Sequence, residues 1–260
     1  MSDAVLYEVK DNIGLITLNR PERLNAWNGD MATGYFNSLD AAAADPTVRV
    51  IVVTGAGRGF CAGADMDVLQ GIQGAGGTTG ERETRDARYA MSVPKPIIAA
   101  INGACAGLGL VHAVACDIRF AAAGAKFTVA FSRRGLIAEH GISWTLPRLI
   151  GQSAAIDLII SGRVFLAEEA AELGMVNKVV LADELMDYTM AYATDMATNV
   201  SPTSMAVMKH QVYSQLAMGL DDAMIASNKV MAESLKRPDF KEGVASFLEK
   251  RPPNFAPYTK

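Results

Sequence analysis

The chain reads as an α/β protein, and three observations lead there. Short runs rich in branched apolar residues alternate with helix-period segments up to about residue 180. From 182 to 250 the pattern is almost wholly helical. Two buried runs also lead straight into glycine-rich turns, at 55–65 and 102–109. The 260 residues, 50% hydrophobic, suffice for one large core with a helical extension, divided here as 1–198 and 199–260.

Residues 4–9 and 13–19 alternate and predict a hairpin about Asp11-Asn12. Residues 28–44 carry helical spacing and end in an alanine run. Residues 48–54 (VRVIVVT) show little polar alternation, as in a strand covered on both faces. Residues 71–80 (GIQGAGGTTG) form the one low-complexity stretch, either a solvated linker or a lid beside a site. Residues 97–101, 116–121 and 126–129 read as further strands. Three helices are expected at 182–198, 202–218 and 220–235.

Composition excludes several classes. The net charge is −4 and no basic stripe with interleaved aromatics is present, so no nucleic-acid partner is expected. Residues 97–116 lack charge over a span long enough for a bilayer, but Asn102, His112 and three glycines interrupt them. A buried strand, a turn and a buried helix fit better, and no membrane partner is expected. The N-terminus has no basic region leading into an apolar run, so no signal peptide is expected. Cys61, Cys105 and Cys116 are odd in number with no CxxC spacing, and there are three histidines. A reduced, cytoplasmic setting without zinc follows.

The turns 60–65 (FCAGAD) and 102–109 (NGACAGLG) are built of small residues, which let a ligand approach backbone N–H groups. The second precedes a helix and so offers unpaired N–H groups and a positive dipole end. Facing each other, two such turns would hold the oxygen of a thioester enolate. Taken singly, each is equally well a tight turn.

Seven segments together resemble the crotonase (enoyl-CoA hydratase/isomerase) superfamily. They are Leu24-Asn25-Ala26, residues 59–65 (GFCAGAD), residues 95–103 (KPIIAAING), Ala115-Cys116-Asp117, residues 146–151 (LPRLIG), 167–180 and 247–251 (FLEKR), in the family's order. The resemblance implies a spiral of ββα units followed by helices that build a homotrimer or a dimer of trimers. It implies an acyl-CoA substrate, with coenzyme A carried by that substrate and no separate cofactor. By position it implies that the amides of Ala64 and Leu108 bind the thioester oxygen. Ala26, Ala62 and Ala64 would line the adenine and pantetheine, and Phe247 and Lys250 would reach the coenzyme A of a neighbouring subunit. Arg23 would contact phosphate.

The chain departs from the family's hydratases at two positions. Where those carry a pair of glutamates, this chain has Val111 and Phe131, and neither transfers a proton. Glu139 matches the position of a working aspartate in related dienoyl-CoA isomerases and aromatic acyl-CoA dehalogenases. It reads either as a proton carrier with a pKa raised by Leu136, Ile137, Ala138, Ile142 and Trp144, or as an acid at the start of the next helix. His140 is the adjacent candidate. His112 is expected to be a satisfied core histidine, and Glu168-Glu169 to be first-turn acids. Arg133-Arg134 face acyl carboxylate or solvent, solvent being preferred. Three readings compete: a one-acid enolate enzyme of the hydratase/isomerase type, a hydrolase of a C–C bond in a cyclic oxoacyl-CoA, and a non-catalytic acyl-CoA-binding scaffold.

Overall fold

The computed structural model describes residues 3–74 and 83–258. It opens with the expected hairpin, β1 (Val5–Lys10) and β2 (Ile13–Leu18), paired antiparallel. Asp11 and Asn12 both take φ near +55°, the left-handed conformation that a tight turn between right-twisted strands requires. Next come α1 (Gly29–Ala44), β3 (Val50–Gly55), β4 (Gly59–Cys61), α2 (Met66–Gly74) and α3 (Arg88–Ser92). Asn28 caps α1, its side chain accepting from the Met31 amide at 2.9 Å.

The middle of the chain holds β5 (Ile97–Ile101), β6 (Ala104–Ala106), α4 (Leu108–Ala115), β7 (Ile118–Ala122), β8 (Lys126–Thr128), α5 (Ile142–Ile150) and α6 (Gln152–Ser161). After them follow β9 (Phe165–Leu166), α7 (Ala167–Glu172) and β10 (Lys178–Val180). Helices α8 (Leu185–Asn199), α9 (Pro202–Gln215), α10 (Leu220–Ser234) and α11 (Pro238–Glu249) complete the fold.

The strands sort into two sheets. One has the order β1-β2-β3-β5-β7-β10, parallel beyond the hairpin; the other has the order β4-β6-β8-β9. Successive strands therefore alternate between sheets before the chain turns into a helix: β3, β4, α2; then β5, β6, α4; then β7, β8, α5. This is the ββα spiral that the resemblance implies. β3 and β5 are buried along their whole length, as unbroken apolar runs in a covered parallel sheet should be. The spiral stacks β4 beside β6 in parallel, which sets the turns that follow them side by side.

The stretch expected as 71–80 divides. Residues 71–74 are the last turn of α2, and the remainder, with its linker-or-lid alternatives, lies outside the described residues. The expected division at 198/199 falls at the end of α8, which lies against β3, β5 and β7. Beyond it α9 still packs on the core through Met205 and Lys209, whereas α10 and α11 leave most of their apolar side chains uncovered. α10 has no buried residue, and Phe247 on α11 is 82% exposed. Among the described residues no helix is long and apolar enough to cross a membrane, and the three cysteines are buried without a disulfide. No cluster of metal-ligating side chains occurs among the described residues.

Candidate active site

The first glycine-rich turn is held by the segment before α1. Leu24 and Asn25 adopt positive φ, which turns the Asn25 amide inward. That side chain donates to the carbonyls of Ala56 and Gly59 and accepts from the Arg20 amide. Trp27 then brackets the turn: its amide donates to Gly63 O at 2.7 Å, and its carbonyl accepts from the Asp65 amide at 2.9 Å. Arg20 closes the clamp, donating to Asp65 at 2.7 Å and to Ala26 O at 2.6 Å.

The Arg20 hydrogen bond holds the Asp65 carboxyl below its usual range, with a smaller contribution from the Asp67 amide, while burial opposes both. A depressed folded value means stability that is present above the unfolded pKa, about 3.9, and lost as the pH falls through the folded one. Asp65→Asn should therefore cost about 1–3 kcal/mol at neutral pH and flatten the acid limb of stability. Urea unfolding from pH 3 to 7 measures both.

The second turn is anchored by Asn102. Its side chain donates to Gly55 O and Gly57 O and accepts from the Gly55 amide, tying the two turns' approaches together. The turns then meet backbone to backbone. A Cβ on Gly63 would lie 3.0 Å from Ala106 O and 3.7 Å from Gly107 Cα; one on Gly109 would lie 2.2 Å from Cys61 O. Only glycine permits this approach, and Gly63 and Gly107 also have positive φ. Leu108 is the first residue of α4 and so has a helical, negative φ, which makes its side chain harmless to the exposed amide.

Ala64 and Leu108 line one cavity of about 1020 Å³, together with Ala62, Glu139 and His140. Neither the Ala64 nor the Leu108 amide donates to another group among the described residues. Two close, free N–H groups beside the positive end of a helix suit an oxygen carrying negative charge.

Other expected site residues are placed elsewhere. Ala26 presents its carbonyl to Arg20 and does not line the cavity. Arg23 is half exposed and pairs with Asp67 at 3.2 Å, also away from it. Phe247 and Lys250 lie at the exposed end of α11 and do not line the cavity within one chain.

The acid differs from its expected setting. Ile137 is 79% exposed, and Trp144 carries the Arg148 guanidinium 3.9 Å above its ring. The apolar surround expected from sequence neighbours is thus only partly assembled: Ile142 is buried and Leu136 lines the cavity with Glu139, but Ile137 and Trp144 turn to the surface. Glu139 instead lies 3.7 Å from His140 Nε2, the two side chains 36% and 39% exposed. Nor does it cap the following helix: Gly141 is the N-cap and no side chain bonds the free amides there. His140 and Ala130, both cavity-lining, take positive φ without being glycine, a local strain that costs about 1–3 kcal/mol each.

Val111 and Phe131 are buried apolar residues; Phe131 lines the main cavity and Val111 a smaller one of about 360 Å³. His140 borders both. Glu169 is engaged by Arg163, and Glu168 accepts from the Gly124 amide, so the pair is structural. Arg134 reaches the cavity wall, whereas Arg133 donates to the Ser161 and Gly162 carbonyls. Sequence reasoning also missed Trp27 and Asp86 as lining residues, since no local signal connects them to the turns.

His112 needs a correction too. It is buried, as expected, and stacks on Trp27 with centroids 4.0 Å apart. It is not the satisfied histidine expected, since Nδ1 has no hydrogen-bond partner among the described residues. Burial, with a smaller contribution from His140 and against the pull of Asp86, lowers its pKa to about 3, so the ring is neutral at ordinary pH.

The family model described as Enoyl-CoA hydratase/isomerase matches residues 8–257. The chain is 37% identical to 1,2-epoxyphenylacetyl-CoA isomerase of Escherichia coli (strain K12), over 98% of this chain and 99% of that protein. Among solved structures, a probable enoyl-CoA hydratase/isomerase from Mycobacterium abscessus superposes with a TM-score of 0.90 at 28% identity, covering 98% of this chain and 99% of that one. The enoyl-CoA hydratase EchA12_1 from Mycobacterium marinum is 52% identical, with a TM-score of 0.71, covering 82% of this chain and 98% of that one.

Proposed function

The chain belongs to the enoyl-CoA hydratase/isomerase family of the crotonase superfamily, and from that premise we propose that it shifts a double bond in an acyl-CoA thioester by way of an enolate. The observation that carries this reading is the contact of two glycine turns that leaves the Ala64 and Leu108 amides free in one cavity with Glu139. The thioester oxygen accepts from both amides. The Glu139 carboxylate takes a proton from an acyl carbon, and the electron pair moves onto that oxygen. The resulting carboxylic acid returns the proton to another carbon as the carbonyl re-forms. No water is consumed, so one acid suffices where hydration needs a donor and a base. His140, whose Nε2 lies 3.7 Å from the carboxylate, is the neighbour placed to orient Glu139 when substrate binds.

Coenzyme A is part of the substrate, and no further cofactor takes part. Its pantetheine runs along Ala62 and Ala64 in the cavity, and its adenine and phosphates extend beyond the cavity to Ala26 and Arg23. Phe247 and Lys250 serve a neighbouring subunit. The exposed apolar side chains of α10 and α11, Leu220, Ile225, Phe247 and Leu248 among them, support burial in a homotrimer or a dimer of trimers. The setting is cytoplasmic, in keeping with three unpaired buried cysteines.

The test uses a panel of 2-enoyl-, 3-enoyl- and cyclic oxoacyl-CoA thioesters. Glu139→Gln should lower kcat for isomerisation by about 10²–10⁴ while thioester affinity stays within a few fold. Undiminished turnover removes Glu139 from the mechanism. Ring-opened acid products mark a C–C hydrolase instead, and binding without conversion of any thioester marks a scaffold.

A further inference from the structure

Helix α11 buries only Ser246 within the chain, so packing by itself holds it weakly. Two polar fastenings hold it instead. At its start, Asp239 accepts from Ser201 Oγ. Its far end is held through the C-terminal tail, which folds back along the helix. Lys250 takes φ +51°, the left-handed turn that ends α11, and the Arg251 amide donates to Ser246 O at 3.1 Å. Glu242 then accepts from Arg251 Nη1 at 2.6 Å, from Arg251 Nη2 at 3.0 Å and from the Asn254 amide at 2.6 Å. The Phe255 ring covers Gly243, where a Cβ would stand 3.9 Å from it, and Phe255 is itself buried.

One side chain ties this fold-back to the core. Arg49 donates through Nη2 to Phe255 O at 2.7 Å and through Nη1 to Ala197 O, near the end of α8, at 2.9 Å. Its own amide donates to Asn12 O at 2.8 Å, so both ends of the side chain are fixed. A guanidinium spans two carbonyls as a planar fork, which no other side chain does. Arg49 lines neither cavity. The six residues of β3, about 20 Å of strand, separate it from the approach to the first glycine turn. What it reaches is α11. With Glu242, Gly243 and Ser246 on the inner face, Phe240, Val244, Phe247 and Leu248 share the outer one.

We infer that Arg49 is a positioning residue for coenzyme A: by pinning the tail it sets the angle of α11, and so aims Phe247 and Lys250 at the site of the neighbouring subunit. This rests on the reading of those two residues given above and adds what directs them. The helix has twelve residues and is about 18 Å long. Without the Arg49 tie, a tilt of about 10° about Ser201 carries its far end about 3 Å, the length of a hydrogen bond.

Coenzyme A itself is titrated calorimetrically into the full chain, and turnover is followed with the converted thioester of the panel above. Arg49→Gln should weaken coenzyme A about tenfold and raise KM alike, with kcat within about twofold and the assembly unchanged in sedimentation. In a Phe247→Ala/Lys250→Ala background, adding Arg49→Gln should cost no further affinity, because the groups it aims are gone. Unchanged affinity in Arg49→Gln overturns the inference. So does a further loss in the triple variant, a fall in kcat with KM unmoved, or a loss seen only on dissociation into monomers. If Arg49→Gln does not fold by circular dichroism, Phe255→Ala, which loosens the same tie from the tail, decides by the same measurements. If the wild-type protein does not bind coenzyme A, the thioester reading fails and this inference with it; wild-type binding that Arg49→Gln leaves intact defeats only the inference.

Discussion

Gly109→Ala is expected to lower kcat/KM by about 10²–10³, close to the loss of one oxyanion donor, although Gly109 contributes no group to the reaction. The methyl it introduces would lie 2.2 Å from Cys61 O and 2.7 Å from Cys61 Cβ. Neither atom can swing away, because Cys61 ends β4 and is fully buried. The clash is relieved only if the start of α4 moves back from the first turn, and a shift of about 1 Å is enough to cost about 10² in rate. Leu108 precedes Gly109, so its amide moves with the helix while the Ala64 amide, clamped by Trp27, stays. Overpacking should also reduce stability by about 1–3 kcal/mol. Kinetics are therefore compared well below the unfolding midpoint, as judged by circular dichroism. Activity within about threefold of wild type would mean that the spacing of the two turns does not govern the reaction.

Lys209→Met should be the most destabilising of the substitutions considered, at about 3–5 kcal/mol. The Lys209 ammonium is buried between α9 and the start of β5. It donates to Ala90 O at 2.9 Å and Lys95 O at 3.0 Å, and pairs with Asp117 at 2.8 Å. Asp117 in turn accepts from the Ile97 amide at 2.7 Å and from Tyr213 OH at 2.9 Å. Methionine keeps most of the packing volume but leaves a buried carboxylate without its counter-charge and two carbonyls without a donor. Burial already lowers the pKa of Lys209, opposed by Asp117, so the pair is held only by its mutual fit. For a chain of this size each kcal/mol moves the melting temperature by about 2–4 °C. Thermal unfolding gives the first measure. Lys209→Met/Asp117→Asn should regain part of the loss, since the uncompensated charge is then gone. No recovery in the double variant would assign the loss to packing instead of charge.

Much of the fold was legible in the chain because its signals are local. An unbroken run such as 48–54 states that both faces of a strand are covered, and the pair Asp11-Asn12 states a left-handed turn. The turns at 62–64 and 107–109 were legible for the same reason, since small residues in that density imply close backbone approach. The surroundings of Glu139 were not legible in the chain, because neighbours in sequence need not be neighbours in space. In a loop with positive φ at His140 they are not, and Ile137 turns to solvent. The state of His112 was not legible either, because a buried histidine is ordinarily satisfied, and the lack of a partner for Nδ1 among the described residues is a property of the packed aromatic box alone.

The sequence by itself determined the α/β class, the strand-rich core with its helical C-terminal end, the two small-residue turns, and the absence of glutamate at 111 and 131. These depend on residue size, backbone preference and chemical type, which each position carries wherever it lies. Tertiary structure alone decided that the turns touch, that Trp27 and Arg20 clamp one of them, and that Glu139 and an unpaired His112 share their cavity. Those facts concern distances between residues far apart in the chain, and such distances exist only once the spiral has closed.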